Sequence, residues 1–301
     1  MSNIEYKKLV EEYIKNEIIW SSLWWEVISS ATKFIAWSAS EAYLLQTSKS
    51  KYVFKAISWW IFRDIKAFQI WKKSWVITPS IVNIFESKEL QYYIMDYIDW
   101  TMLDSARLKD PIAFHYKLWE VLWKMHQWKT VWYRDFENWI EPIKWTTVTL
   151  KEMYDGKYPR KEILKKWKDI WFNGEDILNA RESIIEFCNW MQTSCCHNDL
   201  YLHNIFDEDN IVIIDPNTDL DIWELDLCRT LYYTIMEDYF VNYSEVISWY
   251  RDCANTSITN ELICNWVLLR GLKVLLNENN LGKLALFKNR YENFKSEILS
   301  Q

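Results

Sequence analysis

The order of short and long hydrophobic patterns along the chain limits its fold more than any other feature. Between residues 33 and 98, apolar and β-branched residues come in short runs bounded by polar residues, a pattern typical of β-strands. One stretch among them, "IFRDIKAFQIWKK", has the period of a helix instead. We predict a five-stranded antiparallel sheet with one inserted helix, and the predicted strands are "KFIA", "SEAYLLQT", "KYVFKAI", "IVNIFES" and "LQYYIMDYI".

Helical periodicity dominates the rest of the chain. Roughly the first thirty residues read as helical, and after residue 98 only a hairpin, "HNIF" and "IVIID" joined by "DEDN", interrupts the helices. We predict an α+β, two-lobed architecture with a sheet lobe (1–98), a larger helical lobe (99–301) and a cleft between them. The helices predicted after the sheet span residues 112–127, 147–170, 175–193, 224–240, 242–254, 258–277 and 283–299.

Composition limits the class of protein. Half of the 301 residues are apolar, enough for a sizeable core, and no apolar run reaches the roughly 18 residues that a membrane span needs. A net charge of -7 without a block of Lys or Arg argues against nucleic acid and suits a cationic or neutral ligand. There is no signal-peptide pattern and no C-x-x-C among the six Cys. We therefore expect a cytoplasmic monomer or homodimer with free, mostly buried thiols.

Glycine and tryptophan are present in unusual amounts. Ordinary usage of about 7% predicts roughly 21 Gly, whereas the chain has 4 Gly and 21 Trp. Many Trp stand beside Ser, Asp, Thr or Lys at the ends of periodic segments, as in "IDWT", "KKSWV" and "DIWELD", and Trp37 lies where two predicted strands must turn. Such positions normally require glycine, because the backbone there adopts positive φ or leaves no room for a side chain.

Residues 195–216, "CCHNDLYLHNIFDEDNIVIIDP", carry the strongest chemical signal. Asp199 and Asn204 lie in a polar, irregular segment, and Asp215 follows at the end of an apolar strand. This order and spacing are typical of a phosphoryl-transfer loop, in which one carboxylate accepts the proton of the attacking hydroxyl. Mg²⁺ prefers hard oxygen ligands and keeps several waters, so an amide and a second carboxylate suffice to hold it. We predict Asp199 as the catalytic residue and Asn204 and Asp215 as metal ligands.

Lys55 is a second candidate for phosphate chemistry. It lies inside a predicted strand with apolar neighbours, where an ammonium group is costly unless it has anionic partners. Asp64 on the following helix is one candidate partner and nucleotide phosphates are another, as for the strand Lys and helix acid of kinases. Alone, Lys55 also fits an edge strand with its side chain in water, but together with residues 197–215 the phosphate interpretation is favoured.

These motifs resemble those of the aminoglycoside phosphotransferase-like kinases, a family that also includes choline, homoserine and fructosamine kinases. The family's His-Gly-Asp-x-x-x-x-Asn loop reads "HNDLYLHN" here, its metal segment reads "IIDPN", its helix-starting Asp-Leu reads "DIWELDLCRTL", and its "MEYIDG" reads "MDYIDW". The resemblance covers roughly residues 30–250. It implies a protein-kinase-like fold, ATP and Mg²⁺ as cofactors, and a nucleotide loop at Trp37 and Ser38.

The chain departs from this family's pattern in three ways. Asn198 replaces the usual Gly and Asp64 is shorter than the usual Glu. Trp37, Trp100 and Trp223 fall on glycines of the family, and a nucleotide loop needs a residue whose backbone N–H can approach phosphate. Our recoding hypothesis is that most Trp are glycine in the organism, because some bacteria read UGA as glycine and a table that reads UGA as tryptophan would produce this pattern. The alternative is a protein that is truly rich in Trp, and peptide mass spectrometry distinguishes the two.

The predicted activity is transfer of the γ-phosphoryl group of ATP to a hydroxyl of a small molecule. The carboxylates Asp219, Asp221 and Glu224 form either a solvated turn or a pocket for an amine-bearing acceptor, such as an aminoglycoside, an amino sugar or a choline-like alcohol. The alternative is a nucleotide-binding pseudokinase or scaffold. A chain with a true Trp37 would behave in that way, because the indole would occupy the phosphate space.

Other polar residues allow more than one interpretation. His197 is expected to orient the backbone around Asp199. A zinc hydrolase using His197, Asp199 and His203 is disfavoured, because the sequence supplies neither an open fourth position nor supporting residues. Asp226 starts a predicted helix and is expected to be an N-cap or a buried anchor for the catalytic loop. The histidines expected to pack or cap helices are His115 and His126.

Overall fold

The computed structural model describes residues 3–19, 21–23, 26–34, 41–56, 61–87, 90–99, 110–133, 143–144, 147–157, 172–188, 192–207, 210–237, 242–277 and 281–300. Within these ranges, every helix is too short or too polar to cross a bilayer. All six Cys are described as free thiols, and five of them are buried. The chain divides into two compact units, Met1–Gln69 with Ile77–Thr101 and Ile70–Val76 with Met102–Gln301. The domain boundary between residues 98 and 99 stays a prediction.

The first unit consists of a helix, a short hairpin, a five-stranded sheet and most of a second helix. Its helices are α1 (Asn3–Tyr13), continued by a π-helical segment (Ile14–Ile18), and α2 (Ile61–Lys73), whose last residues belong to the second unit. Its strands are β1 (Ser22–Leu23), β2 (Glu26–Val27), β3 (Ser30–Lys33), β4 (Glu41–Gln46), β5 (Lys51–Ala56), β6 (Ile81–Glu86) and β7 (Gln91–Asp96).

The five-stranded antiparallel sheet predicted from the sequence is confirmed. Its strand order is β3-β4-β5-β7-β6, and every pairing is antiparallel. A buried cluster covers one face, and within it Phe54 stacks on Tyr92 with ring centroids 4.6 Å apart. The register places Lys55 between Ala42 and Tyr93 on the central strand. The interpretation of Lys55 as an edge-strand residue in water is therefore wrong.

The helical prediction for roughly the first thirty residues is wrong beyond Ile18. The helical segment ends where the Ser21 hydroxyl donates to the Ile18 carbonyl oxygen at 2.7 Å, and β1 and β2 then pair as a hairpin. The first strand of the sheet, Ser30–Lys33, begins before the predicted "KFIA". Strands of two residues are too short to show a two-residue period, so their sequence also fits a helix.

The end of α2 has a backbone conformation that favours glycine. Trp75 has a φ of 64°. Its N–H donates to the Lys72 carbonyl oxygen at 3.2 Å, and the Val76 N–H donates to the Trp71 carbonyl oxygen at 3.1 Å. These bonds form a Schellman motif, whose left-handed residue is usually Gly because a Cβ there is crowded. The Trp75 side chain is 85% exposed, so burial of the indole offers little compensation. The recoding hypothesis predicts this environment for a residue that is glycine in the native protein.

Replacing Trp75 by Gly is expected to raise the free energy of unfolding by about 1 kcal/mol, because glycine adopts this φ without the crowding of a Cβ. Trp75→Ala removes the indole but keeps the Cβ, so it should recover little of the gain. Urea unfolding curves measure both variants, and equal stability of the two would contradict the backbone argument. For the recoding hypothesis itself, peptide mass spectrometry of protein from its natural source should find glycine at position 75. Tryptophan at positions 37, 75, 100 and 223 would rule out the hypothesis.

The second unit is mainly helical. After the end of α2, its helices are α3 (Pro111–Met125), α4 (Thr147–Lys157), α5 (Gly174–Phe187), α6 (Trp223–Glu237), α7 (Tyr243–Ala254), α8 (Asn260–Asn277) and α9 (Leu281–Leu299). Its strands are β8 (Lys129–Thr130), β9 (Trp132–Tyr133), β10 (Ile143–Lys144), β11 (Thr193–Cys196), β12 (Ile205–Asp207), β13 (Ile211–Ile213) and β14 (Asp219–Ile222).

Local sequence signals account for the start of α3 and the packing of α8 on α9. The Asp110 side chain accepts the Ala113 N–H at 3.0 Å, and Pro111 occupies the first helical position, where no N–H is needed. Glycine is required at position 271 because a Cβ on Gly271 would lie 2.2 Å from the ring of Phe287. Close contact between these two helices therefore depends on a residue without a side chain.

The predicted hairpin is confirmed, and so are the helices predicted after residue 110 where the structure describes them. The helix predicted over 147–170 is described as far as Lys157. The prediction that only this hairpin interrupts the helices is wrong. β9 pairs with β10, and Thr193–Cys196 pairs with Asp219–Ile222 in the three-stranded sheet β14-β11-β8. Strands of two to four residues with partners far away along the chain show no readable period, so these pairings depend on the tertiary fold.

Candidate active site

The loop that follows β11 is tied to a buried carboxylate on α6. Asp226 accepts the backbone N–H of His197 at 2.7 Å and that of Asn198 at 2.8 Å. It lies 3.3 Å from Nε2 of His126 and is fully buried. Burial would raise the pKa of the Asp226 carboxyl, but the hydrogen bond from His126 and the charge of Arg229 hold it below its ordinary value. The predicted role of Asp226 as a buried anchor for the loop is confirmed.

His197 orients the backbone around Asp199, as predicted. Its Nε2–H donates to the Ile214 carbonyl oxygen at 3.0 Å, which leaves Nδ1 to accept the Asp199 N–H at 3.2 Å. The buried ring stacks on Trp71, with centroids 5.5 Å and planes 5° apart. Because both ring nitrogens are engaged, His197 is not available as a zinc ligand, and the zinc hydrolase interpretation loses one of its three ligands.

The histidines on α3 pack and cap, as predicted. Burial lowers the pKa of His115 to about 4, so this ring is neutral at pH 7. His126 follows the last residue of α3, and its Nδ1 lies 2.8 Å from the Tyr250 hydroxyl. Burial also lowers the pKa of His126, against the opposing effect of the Asp226 carboxylate. Neither histidine is placed to take part in chemistry at the loop.

Asn198 stands where the resembled family has glycine, and its backbone shows why asparagine is tolerated. Its φ is 66°, in the left-handed region that Asn adopts more readily than most residues. The side-chain amide donates to Asp219 Oδ2 at 2.9 Å. Asparagine therefore adds a hydrogen bond between the loop and β14 that glycine could not make.

One face of α6 runs along the loop that carries Asp199. Positions 226, 230, 233 and 237 follow the three- and four-residue spacing of a single helix face. The Tyr233 hydroxyl donates to Asp199 Oδ1 at 2.6 Å. Glu237 accepts a hydrogen bond from the Tyr201 hydroxyl. The contacts of Tyr201, Tyr233 and Glu237 with this part of the chain were not predicted from the sequence. The helical spacing of Tyr233 and Glu237 from Asp226 could have indicated that both face the loop.

Asn204 and Asp215 lie at the same end of the β12–β13 hairpin. The Ile214 N–H donates to the Asn204 carbonyl oxygen at 3.0 Å, one step beyond the hairpin ladder. The Asn204 side-chain nitrogen donates to the Asp199 carbonyl oxygen at 2.8 Å, which leaves the amide oxygen as the possible ligand atom. Asp215 is partly exposed and has a φ of 50°, a conformation that Asp tolerates and that is frequent at functional sites. Both predicted metal ligands therefore lie at the end of the hairpin that adjoins Asp199. Asn204 bonds to the Asp199 carbonyl oxygen, and Asp215 follows Ile214, which bonds to Asn204.

Lys55 and Asp64 form a buried ion pair within the first unit. Nζ lies 3.0 Å from Oδ2, and the two residues are 3% and 1% exposed. The Tyr93 hydroxyl donates to the same carboxylate oxygen at 3.1 Å. The predicted pairing of Lys55 with Asp64 is confirmed, whereas their binding of nucleotide stays a prediction. The other residues predicted to bind nucleotide, Trp37 and Ser38, lie outside the described residues.

The carboxylates just past Asp215 are not a solvated turn. Asp219 and Asp221 lie on β14, which pairs with β11, and both are buried. Asp221 accepts from Arg229 Nη2 at 3.1 Å and from the Tyr154 hydroxyl. The solvated-turn interpretation is therefore wrong, and Asp221, already paired with Arg229, has no free charge to offer an acceptor ammonium group.

Glu224, the third member of this acidic set, is a fully buried carboxyl. Oε1 accepts from the Thr256 hydroxyl at 3.2 Å, and Oε2 has no hydrogen-bond partner in the described part of the chain. Burial raises the pKa of Glu224 from 4.5 to about 8, against the opposing charge of Lys129. Between pH 4.5 and about pH 8, the Glu224 carboxyl therefore binds a proton when the chain folds.

The contribution of Glu224 to the free energy of unfolding is expected to fall as the pH rises from about 4.5 to 8, by up to about 1.4 kcal/mol per pH unit, because this proton is lost more easily from the unfolded chain. Glu224→Gln keeps the shape and stays neutral, so its stability relative to the unmodified chain should increase with pH. Urea unfolding at the two ends of this pH range measures the difference. The exposed Glu186→Gln is the control and should follow the unmodified chain. An unchanged pH slope in Glu224→Gln would show that Glu224 is not buried in the neutral form.

The fold and the arrangement of the loop define a class of structure. A five-stranded antiparallel sheet with an inserted helix, followed by a mainly helical unit whose loop and hairpin carry Asp199, Asn204 and Asp215, is the protein-kinase-like fold of the small-molecule phosphotransferases. No protein-family model matches the chain, and no similar sequence is found among curated proteins. The resemblance predicted from the motifs is confirmed at the level of the fold by solved structures.

Three of these structures illustrate the likeness. A protein assigned as an aminoglycoside phosphotransferase from Ralstonia eutropha JMP134 is 13% identical, with a TM-score of 0.61 over 98% of both chains. A protein assigned as a fructosamine-3-kinase from Haemophilus somnus 129PT is 15% identical, with a TM-score of 0.58 over 89% of this chain and 92% of that one. Aminoglycoside phosphotransferase APH(4)-Ia is 11% identical, with a TM-score of 0.61 over 98% of this chain and 99% of that one.

Proposed function

We propose that this chain is an ATP-dependent kinase that transfers the γ-phosphoryl group to a hydroxyl of a small molecule. The observation that carries the proposal is the geometry of the loop, in which the Tyr233 hydroxyl holds Asp199 at 2.6 Å on a backbone anchored by Asp226. A partly exposed carboxylate held in this way can accept the proton of an attacking hydroxyl. Phosphoryl transfer otherwise requires mainly positioning and charge neutralisation.

The remaining roles follow from the ligand atoms that are present. Asn204 and Asp215 offer an amide oxygen and a carboxylate, the hard oxygen ligands that suit Mg²⁺. When bound, Mg²⁺ supplies positive charge that neutralises the charge developing on the phosphates. Lys55, held in place by Asp64, would bind the α- and β-phosphates of ATP.

The acceptor is proposed to carry an amine. Among the similar structures, a variant of APH(4)-Ia is in complex with ADP and hygromycin B, and APH(9)-Ia is in complex with ADP and spectinomycin. In this chain, Tyr201, Tyr233 and Glu237 line one side of a cavity of about 10 Å³, and its other walls are Leu, Ile and Thr side chains. A carboxylate with aromatic neighbours favours an ammonium group, because the charge and the ring faces offset its loss of hydration. Glu237, rather than the buried Asp221, is therefore the acidic residue proposed for acceptor recognition.

A nucleotide-binding pseudokinase or scaffold is the second candidate. It is favoured for protein made with tryptophan at position 37, because the resembled family places its nucleotide loop there and an indole would occupy phosphate space. The intact set of Lys55, Asp64, Asp199, Asn204 and Asp215 favours the active kinase for protein with glycine at that position.

A thermal-shift titration with ATP and Mg²⁺ is the first test, because a ligand that binds the folded state raises the unfolding temperature in proportion to the logarithm of its concentration. The second test is a phosphate-transfer screen with amino sugars, aminoglycosides, choline, homoserine and neutral sugars. No shift in protein verified to carry glycine at position 37 would overturn both nucleotide-dependent functions. A shift without transfer to any acceptor would favour the pseudokinase, and transfer to neutral or anionic acceptors alone would overturn the amine-bearing substrate.

A further inference from the structure

Tyr233 stands between the proposed catalytic carboxylate and a partly buried cation, Arg270. Its hydroxyl donates to Asp199 Oδ1 at 2.6 Å, and the same oxygen lies 3.2 Å from Arg270 Nη2 on α8. The guanidinium carbon lies 6.0 Å from the centroid of the Tyr233 ring. The Arg270 Nε is buried and makes no hydrogen bond to another described residue. The tyrosine is therefore the polar contact through which Arg270 reaches the loop.

The chemistry of the two neighbours fixes the direction of the tyrosine proton. Arg270 can only donate hydrogen bonds, so the Tyr233 oxygen accepts from it. A carboxylate can only accept, so the Tyr233 proton points to Asp199. Burial raises the pKa of Tyr233 to about 12, against the opposing charge of Arg270, so the hydroxyl stays protonated at pH 7. The result is a chain of two donors that ends on one oxygen of the carboxylate.

We propose that Tyr233, supported by Arg270, is a positioning residue that holds Oδ1 of Asp199 so that Oδ2 faces the acceptor hydroxyl; this inference rests on the proposed kinase function. In the step that follows, the hydroxyl oxygen forms a bond to the γ-phosphorus and the hydroxyl proton passes to Oδ2. The bond from the γ-phosphorus to the bridging oxygen breaks, and ADP leaves with that electron pair. Asn204 Nδ2 is 3.4 Å from Oδ2, too long for a strong hydrogen bond, so this oxygen keeps its capacity to accept the proton.

Tyr233→Phe tests the role of the hydroxyl while keeping the ring, which packs on Tyr201 with centroids 4.9 Å apart. We expect kcat to fall about 10- to 100-fold, the range for loss of a hydrogen bond to a charged group, with the KM for ATP unchanged. Tyr291→Phe is the matched control, because it removes a buried hydroxyl that donates to the Cys264 carbonyl oxygen at 3.3 Å, away from the loop. The control should keep the kcat of the unmodified chain.

A double-mutant cycle separates positioning from simple destabilisation. Arg270→Met keeps the length of the side chain and removes its charge, so kcat should fall less than in Tyr233→Phe. Because Arg270 acts through the tyrosine hydroxyl, adding Arg270→Met to Tyr233→Phe should cause no further loss of kcat. A structural role alone would lower the unfolding temperature of both variants and would leave the kcat of their folded fraction unchanged.

The outcomes distinguish this inference from the function on which it rests. If the unmodified chain transfers phosphate and Tyr233→Phe matches it in kcat, or if the two substitutions add fully in the cycle, the positioning role is wrong and the kinase function stands. If the unmodified chain binds no nucleotide and transfers no phosphate, the kinase function is wrong and this inference is overturned with it. A selective loss of kcat in Tyr233→Phe with a non-additive cycle supports both.

Discussion

Replacing Asp215 by alanine is expected to abolish Mg²⁺-dependent phosphoryl transfer, by about 10³-fold or more, while the fold stays intact. The size of the loss follows from the several kcal/mol that a bound metal ion contributes to stabilising transition-state charge. Asp215 is partly exposed at the end of the hairpin, so its removal leaves no large cavity. Steady-state kinetics with varied Mg²⁺ concentration, together with circular dichroism, measures both parts of the prediction.

A second substitution separates the charge of Asp215 from its backbone conformation. Alanine at a φ of 50° carries a steric cost, whereas asparagine tolerates this region, so Asp215→Asn removes the charge with less strain. Both variants should lose activity, and the asparagine variant should be the more stable of the two. Asp207→Asn is the control within the same hairpin, since Asp207 pairs with Lys117 at 2.9 Å and should be dispensable for turnover. Normal turnover in Asp215→Ala would contradict the assignment of this residue as a metal ligand.

Asp226→Asn is expected to destabilise the protein by roughly 3 to 5 kcal/mol, the cost of disrupting a buried charged group and its partners. The carboxylate accepts two backbone N–H groups of the loop, and the amide that replaces it would turn a donor toward at least one of its three donor neighbours. Since the pKa of Asp226 is below its ordinary value, this stabilisation is present at neutral pH and is lost as the pH falls below about 4. Phosphoryl transfer should fall as well, because the loop that carries Asp199 loses its anchor.

Urea unfolding monitored by circular dichroism measures this effect as a lower midpoint with an unchanged slope. Asp110→Asn is the matched control, because Asp110 caps α3 on the surface and asparagine caps a helix equally well. The control should stay within about 0.5 kcal/mol of the unmodified chain. A midpoint for Asp226→Asn equal to that of the control would mean that the loop is held by contacts other than this carboxylate.

The elements predicted well are those with long, uniform patterns. The strands Glu41–Gln46 and Lys51–Ala56 each lie between two other strands of the sheet, and most of their residues are buried. Their sequences therefore show β character without ambiguity. The helix Asn260–Asn277 is long enough for its period to be read directly. The hairpin Ser22–Val27 was not predicted because each of its strands has two residues, fewer than any period requires.

The candidate catalytic residues were predictable because they lie close together along the chain. Asp199, Asn204 and Asp215 belong to one loop and the hairpin that follows it, so their spacing alone indicates how they are placed. Trp71 donates its indole N–H to the Cys195 carbonyl oxygen at 2.9 Å across 124 residues of sequence, and no local pattern predicts such a contact. Of the supports of the loop, Asp226 and His197 were therefore predicted, whereas Trp71 was not.

The sequence by itself determined the fold class and the pairing of Lys55 with Asp64, because each depends on a local period or on a short, specific spacing, and it indicated the loop of Asp199 as the candidate site. The tertiary structure alone decided which carboxylates are available for chemistry. Asp219 and Asp221 look as exposed in sequence as Asp215, but pairing of β14 with β11 buries them, whereas Asp215 stays partly open. Burial and charge pairing are set by partners brought in from distant parts of the chain, and these determine whether a carboxylate supports the fold or acts on a substrate.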